Sequence, residues 1–186
     1  IRDEFRVKLL FITRKYPPSV GGMENYSYEL FKHLKIINED TYLIANKYNN
    51  KVLPFFIPYS FFKALYLIWT KRITHVHLGD GLLAFEGKLI KKITKVKTSI
   101  TVHGLDITFD NSFYQSLIPQ AINSLDNIIC ISKATNNECI GRGVDGKKCS
   151  VIPNGVNPDD FYLKESKIKL RERLSNNIHI NLKNKK

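Results

Sequence analysis

At 186 residues the chain has the size of one ordinary domain, or of one domain with a tail. A hydrophobic fraction of 43% with 25% charged residues marks a globular chain and excludes a disordered one. The formal charge of +12 is unusual, yet half of it sits in residues 164–186, where eight Lys or Arg face two Glu, so the body is only moderately basic.

Taken in order, Val7–Ile12 is a short, nearly unbroken apolar run, which reads as a strand buried on both faces. A polar loop with Pro17, Pro18, Gly21 and Gly22 follows. Met23, Tyr26, Leu30 and Leu34 then recur at helical spacing. Strand, glycine bend and helix form the opening unit of a doubly wound α/β domain, in which the first amides of the helix point into a crevice at the strand ends. A Cβ there would hold a ligand off the backbone. The alternative, that Gly21 and Gly22 only make a tight turn, stays open, and the dinucleotide fingerprint G-x-G-x-x-G is absent.

Thr41–Ala45 is a second strand, and Val52–Ile57 reads as a third, demoted to an edge by Pro54 and Pro58. A helix over Tyr59–Lys71 comes next. The stretch Val52–Thr70 is long enough to span a membrane, but Lys63 near its middle costs about 2.5–3.5 kcal/mol there, and two prolines interrupt it. A short strand followed by a buried helix over Tyr59–Lys71 is the reading adopted, and an aromatic-rich surface touching lipid is the alternative. Further strands follow at Thr74–Leu78, Lys97–Val102, Asn127–Ile131 and Cys149–Ile152. Between them lie helices over Leu83–Lys92, with Lys88, Lys91 and Lys92 outward, over Phe113–Leu125, kinked or begun at Pro119, and over Lys133–Arg142 behind an N-cap at Ser132. Asp159–Tyr162 reads as a single turn, Lys167–Leu174 as a short basic helix, and Asn176–Lys186 as a linker. Strands joined by crossover helices require a mostly parallel sheet. The expected fold is therefore α/β, a Rossmann-like doubly wound sheet with helices on both faces, over residues 1–163, followed by a basic tail over 164–186.

Three strand ends carry polar residues: His75 and His77 with Asp80, His103 with Asp106, and Ser132 with Lys133. In an open parallel sheet these ends share one crevice. His103 directly follows a strand, and a neutral imidazole both donates and accepts, which suits holding a sugar hydroxyl or backing a developing charge. The alternative is a structural hydrogen bonder. His75 and His77 share a strand face, but no third ligand is spaced to match, so no metal is expected. The three cysteines, Cys130, Cys139 and Cys149, form no C-x-x-C pair and fit a reducing compartment. No G-x-S-x-G and no phosphate loop of the G-x-x-x-x-G-K type occurs.

Five segments together resemble the N-terminal half of a GT-B-fold glycosyltransferase of the large retaining family four. They are Tyr16-Pro17-Pro18 with Gly21-Gly22-Met23-Glu24; His75-Val76-His77 with Asp80; Thr101-Val102-His103-Gly104 with Asp106; Ile129-Cys130-Ile131-Ser132; and Ile152-Pro153-Asn154-Gly155-Val156-Asn157 with Phe161. The family usually has Asp where this chain has Asn157. The resemblance implies two Rossmann-like domains across a cleft, moving a sugar from a nucleotide-sugar donor to a glycan or glycolipid acceptor without a further cofactor. It implies that Gly21 and Gly22 approach the donor diphosphate, that His103 is catalytic beside the transferred sugar, and that Glu24, Asp80 and Asp106 line the acceptor side. It also implies a cytoplasmic enzyme, at the inner membrane surface where the acceptor is a lipid, whose donor-binding C-terminal domain is not in this chain. The fragment alone is then expected to be inactive.

A rival reading is a non-catalytic module that binds an acceptor or an anionic membrane through Lys88, Lys91, Lys92, Lys95 and Lys97. Nucleic-acid binding is not expected, because no recognition motif accompanies the charge.

Overall fold

The computed structural model describes residues 7–48, 50–155 and 166–178. The chain divides into two compact units, residues 1–154 and 155–186. The first holds six strands: β1 (Leu9–Thr13), β2 (Thr41–Ala45), β3 (His75–Leu78), β4 (Lys97–Val102), β5 (Asn127–Cys130) and β6 (Cys149–Val151). They form one sheet in the order β2-β1-β3-β4-β5-β6, with every neighbouring pair parallel. The helices are α1 (Gly22–Ile37), α2 (Leu53–Lys71), α3 (Ala84–Thr94), α4 (Gly104–Thr108), α5 (Ser112–Asn123) and α6 (Lys133–Gly141). In the second unit the described residues contain α7 (Lys167–Ile178). That helix runs four residues past the expected Lys167–Leu174, and the turn expected at Asp159–Tyr162 lies outside the described residues.

The two sheet faces carry different chemistry because strand side chains alternate. On one face Leu10, Ile12, Val76, Leu78, Ile100, Val102 and Ile128 form the aliphatic core with α2, α3, α5 and α6, through residues such as Ala64, Ile90, Ile122 and Cys139. The other face bears Phe11, Thr13, His77, Ser99 and Thr101. It is covered by α1, whose Ser27 hydroxyl lies 3.0 Å from the Thr13 hydroxyl and whose Tyr26 hydroxyl lies 3.0 Å from that of Thr101. The chain passes from β1 outward to β2 and then back across to β3, so the order of strand addition reverses between β1 and β3. That reversal is where a crevice opens at the strand ends.

Two sequence expectations are corrected. Val52–Ile57 is not an edge strand: α2 begins at Leu53. Pro54 lies in the first turn, where helix amides have no partner in any case, so it starts the helix rather than breaking it. Phe56, Ser60, Ala64, Leu65 and Ile68 then bury one face at helical spacing, and that burial carries Pro58 inside the helix. Pro119 likewise sits within α5, on its buried side, while Asn111 caps that helix by accepting from the Tyr114 amide at 2.9 Å. The second correction concerns Lys91. Its ammonium lies 2.9 Å from Asp126 and donates to the Ser124 carbonyl at 2.8 Å, so it ties α3 to the end of α5 rather than facing solvent. No helix among the described residues is long and apolar enough to cross a membrane.

One packing feature predicts a pH response. Glu86, in the first turn of α3, is buried against α2, where one carboxyl oxygen accepts from the Ser60 hydroxyl at 3.0 Å and the other has no partner among the described residues. Burial pushes its pKa up to about 8, the Asp80 charge adds to this, and the Ser60 bond opposes it. The folded chain thus keeps a proton that the unfolded chain sheds near its ordinary value of 4.5. The stability linked to that proton is fully present below the lower value and falls by about 1.4 kcal/mol per pH unit until pH passes the upper one. Urea unfolding at pH 5.5, 6.5 and 7.5 is expected to show the native chain losing stability relative to Glu86→Gln. Parallel trends for the two proteins would contradict the assignment.

Candidate functional site

The crevice is built from the ends of β1, β3 and β4. The β1 end leads into Arg14 and Lys15, the β3 end into Gly79-Asp80-Gly81, and the β4 end into His103 and the short helix α4. Arg14 holds these loops together. Its Nε donates to Asp80 Oδ1 at 2.9 Å, and its Nη2 lies 4.0 Å from Asp106 Oδ1. The other Asp106 oxygen accepts from the backbone amides of Gly81 (3.1 Å) and His103 (3.0 Å). A Cβ on Gly81 would stand 2.8 Å from Asp106 Cβ, so only glycine allows the β3 and β4 loops to approach this closely. Asp80 is fully buried, which pushes its carboxyl above the usual range, while the Arg14 guanidinium pulls it back.

Asp80 and Asp106 therefore shape the crevice from within rather than standing open as acceptor-side groups. Glu24 is also buried, with its carboxylate 3.3 Å from Lys15 Nζ. Gly21 and Gly22 prove to differ. Gly21 is extended backbone, and a Cβ on it would fall 2.3 Å from Glu24 Oε2, so a side chain there would make the Glu24 carboxylate shift. A Cβ on Gly22 would meet nothing within 4 Å, so its glycine is the one with open space beside it at the start of α1.

His103 is mostly buried, between aromatic and backbone groups. Its Nε2 lies 3.2 Å from the Gly79 carbonyl, a contact that places the ring proton on that nitrogen. The edge-on ring of Tyr26 stands 5.1 Å away, centroid to centroid. Tyr26 is one helical turn beyond Gly22, so the opening turn of α1 and the imidazole are brought together by a single side chain. The Tyr26 hydroxyl meets Thr101, whose hydroxyl also lies 3.1 Å from His77 Nε2. His77 Nδ1 and His75 Nε2 both reach the Ser99 hydroxyl, at 2.7 and 2.8 Å. Burial and the neighbouring His75 lower the His77 pKa to about 3, so its ring is neutral and acts as a hydrogen-bonding strut under α1. The two histidines thus brace the sheet face, and no group of three His, Cys, Asp or Glu among the described residues is placed to hold a metal ion.

Sequence reasoning missed Arg14, Lys15 and Tyr26. Arg14 and Asp80 are 66 positions apart, and only the β1–β3 pairing makes them neighbours. Tyr26 fitted the apolar stripe of α1 and carried no other mark. Ser132 does cap α6, accepting from the Thr135 amide at 3.1 Å, as expected.

A parallel sheet whose strand order reverses beside β1, with a glycine-opened helix after β1 and an imidazole at the end of β4, defines a Rossmann-like ligand-binding domain. The chain belongs to Glycosyltransferase Family 4, whose profile matches residues 20–160. It is similar to a subunit of the human phosphatidylinositol N-acetylglucosaminyltransferase, at 24% identity over 77% of this chain and 36% of that protein. Among solved structures it resembles Anabaena HepE in complex with UDP (TM-score 0.67, 16% identity, 91% of this chain and 50% of that one). It also resembles a glycosyltransferase from Rickettsia africae (TM-score 0.63, 18% identity, 95% and 50%). The chain thus spans half the length of these structures and about a third of the curated relative. Its fold is that of the N-terminal Rossmann-like half of a GT-B glycosyltransferase.

Proposed function

We propose that this chain is the acceptor-side half of a retaining glycosyltransferase that moves a hexose-type sugar from a nucleotide-sugar to a glycan or glycolipid acceptor. The observation that carries the reading is the meeting of the open Gly22 turn with His103 through Tyr26. The first amides of α1 have no intrahelical acceptor, and the helix dipole there favours an anion. A donor diphosphate approaching Gly22 gains about 0.3–1 kcal/mol from that dipole, more where partly buried. This is a helper's contribution to a reaction whose main task is stabilising the charge growing on the leaving diphosphate. The remaining cations come from a second, donor-binding domain closing over the same phosphates. His103 stands beside the transferred sugar, held by the Gly79 carbonyl and Tyr26. Asp80 and Asp106, both buried, hold Arg14 and the β3 and β4 loops in place behind the crevice wall that the acceptor meets. The free cysteines agree with action in the cytoplasm.

The test compares this chain with a longer polypeptide that includes a second domain. UDP-glucose and UDP-N-acetylglucosamine are the first donors to try, since HepE was solved with UDP-glucose and the human relative belongs to an N-acetylglucosaminyltransferase. The expected result is no turnover by the 186 residues alone and transfer by the longer protein, with NMR showing the donor's anomeric configuration kept. Transfer by the short chain, or an inverted product, would overturn the corresponding part of the reading.

A further inference from the structure

Helix α2 buries one side in the core and leaves another side aromatic. Phe55, Tyr59, Phe62, Tyr66 and Trp69 recur every three or four residues, so they line a single stripe along the helix, and all five are more than half exposed. The surrounding charge has one sign. From residue 41 to residue 79 the sequence contains no Asp or Glu, while Lys47, Lys51, Lys63, Lys71 and Arg72 fall within it. Lys63 stands on the ridge itself, with its ammonium donating to the Tyr59 hydroxyl at 2.7 Å.

At its N-terminal end the ridge runs into a pocket of about 440 Å³, which Phe55 and Tyr59 line together with Val52, Phe56, Asn46 and Lys47. Asn46 is almost wholly buried. Its side-chain oxygen accepts from the Tyr48 amide at 3.0 Å, but its Nδ2 has no partner among the described residues. A buried amide donor beside a lysine, in a pocket otherwise walled by aromatic and aliphatic groups, suits a ligand with an anionic oxygen at one end and a hydrocarbon at the other.

We propose that the α2 ridge lies in the headgroup layer of an anionic bilayer, and that the adjoining pocket takes the phosphate and upper chain of one lipid. Tyrosine and tryptophan favour that layer because one end of each ring system is apolar and the other polar. Each flanking cation adds attraction to anionic lipid. A second copy of the chain is the poorer occupant. A two-fold contact along the ridge would set Lys63 and its neighbours against their own copies, with no acid between residues 41 and 79 to offset them. The helix lies on the membrane rather than across it. The surface differs from the Lys88–Lys97 face of the rival reading, gives named residues and a lipid pocket to the lipid-touching alternative raised for Val52–Thr70, and deepens the glycolipid option of the proposed function while resting on its own residues. Vesicle binding needs no donor, so this test can fail without touching the sugar-transfer reading.

Trp69 is the only tryptophan of the chain and lies on the ridge, so its fluorescence reports the contact directly. Vesicles containing phosphatidylglycerol at low salt are expected to shift its emission to shorter wavelength, and brominated lipid to quench it. Phosphatidylcholine alone is expected to do neither. The exposed-residue variant Phe62→Ser/Tyr66→Ser should bind at least about tenfold more weakly, and Lys63→Glu about tenfold more weakly. Soluble short-chain phosphatidate should bind the native chain saturably, and Asn46→Asp, which puts a carboxylate where the amide stood, should abolish that binding. An emission spectrum unmoved by anionic vesicles, undiminished binding by the double variant, or a dimer that buries Trp69 without lipid would overturn the membrane contact. Phosphatidate binding that survives Asn46→Asp would overturn the pocket assignment.

Discussion

Arg14→Ala is expected to lower the unfolding free energy by about 3 kcal/mol, the lower end of the range for breaking a buried ion pair. Among the described residues the guanidinium is the one cation in contact with Asp80, which is fully buried and carries an oxygen with no partner there. Without Arg14 that carboxyl keeps the Leu82 amide, at 3.0 Å, and faces Asp106 as a like charge. The partial exposure of Arg14 is the reason for the lower end, because water fills part of its place. Burial already pushes the Asp80 pKa up, and loss of the cation pushes it further, so the variant takes up a proton on folding. Its deficit should therefore grow as pH rises past the native chain's own raised Asp80 pKa. Arg14→Ala/Asp80→Asn removes the stranded charge and should recover most of the loss. Arg14→Lys should recover little, since a point charge cannot fork between two carboxylates. Urea unfolding of the four proteins checks this; a loss under about 1 kcal/mol for the single variant would mean that Asp80 is neutral beforehand.

The same pair shows what the sequence makes legible. The strands were readable because β1 and β5 are short, largely apolar runs followed by polar residues and β3 is closed by Gly79-Asp80-Gly81, and a doubly wound sheet follows from their alternation with helices. Register was not readable, and much of the site depends on it. His77 meets Ser99 because those two residues pair across β3 and β4. His75 reaches the same hydroxyl, so two histidines that resembled half a metal site are braces instead. The positions of Gly21 and Gly22 at the start of α1 and of His103 directly after β4 were legible, while what surrounds each of them was not. Arg14 carried a fainter mark of the same kind, a cation just past β1 with aspartates just past two neighbouring strands. In α2 the prolines outweighed the helical spacing of Phe56, Ser60, Ala64 and Ile68. A proline in a first turn costs a helix almost nothing, and the core supplies the rest. Tyr59, Phe62, Tyr66 and Trp69 already share one side of the helix expected over Tyr59–Lys71, and starting the helix at Leu53 adds Phe55 to that stripe.

His103→Ala, placed in a protein that carries both domains, is expected to reduce kcat about a hundredfold to a thousandfold, the usual effect of removing one preorganised polar group from a reacting centre. The fold should survive. The side chain's hydrogen bond to the Gly79 carbonyl is lost, at about 1 kcal/mol, whereas the residue 103 backbone amide, which alanine retains, still donates to Asp106. A structural role for the ring would move stability and leave chemistry nearly intact; a place beside the sugar would do the reverse. Tyr26→Phe separates positioning from contact. It keeps the ring edge against His103 and deletes only the hydroxyl that Thr101 holds, so it should lower kcat severalfold with KM little changed. Gly22→Ala completes the set. A methyl there meets no protein atom but projects into the open space beside the first turn of α1, so it should raise the donor KM with little effect on unfolding. If His103→Ala keeps kcat within threefold of the native enzyme while unfolding at lower denaturant, the imidazole is a brace like His77, and the transferred sugar lies elsewhere.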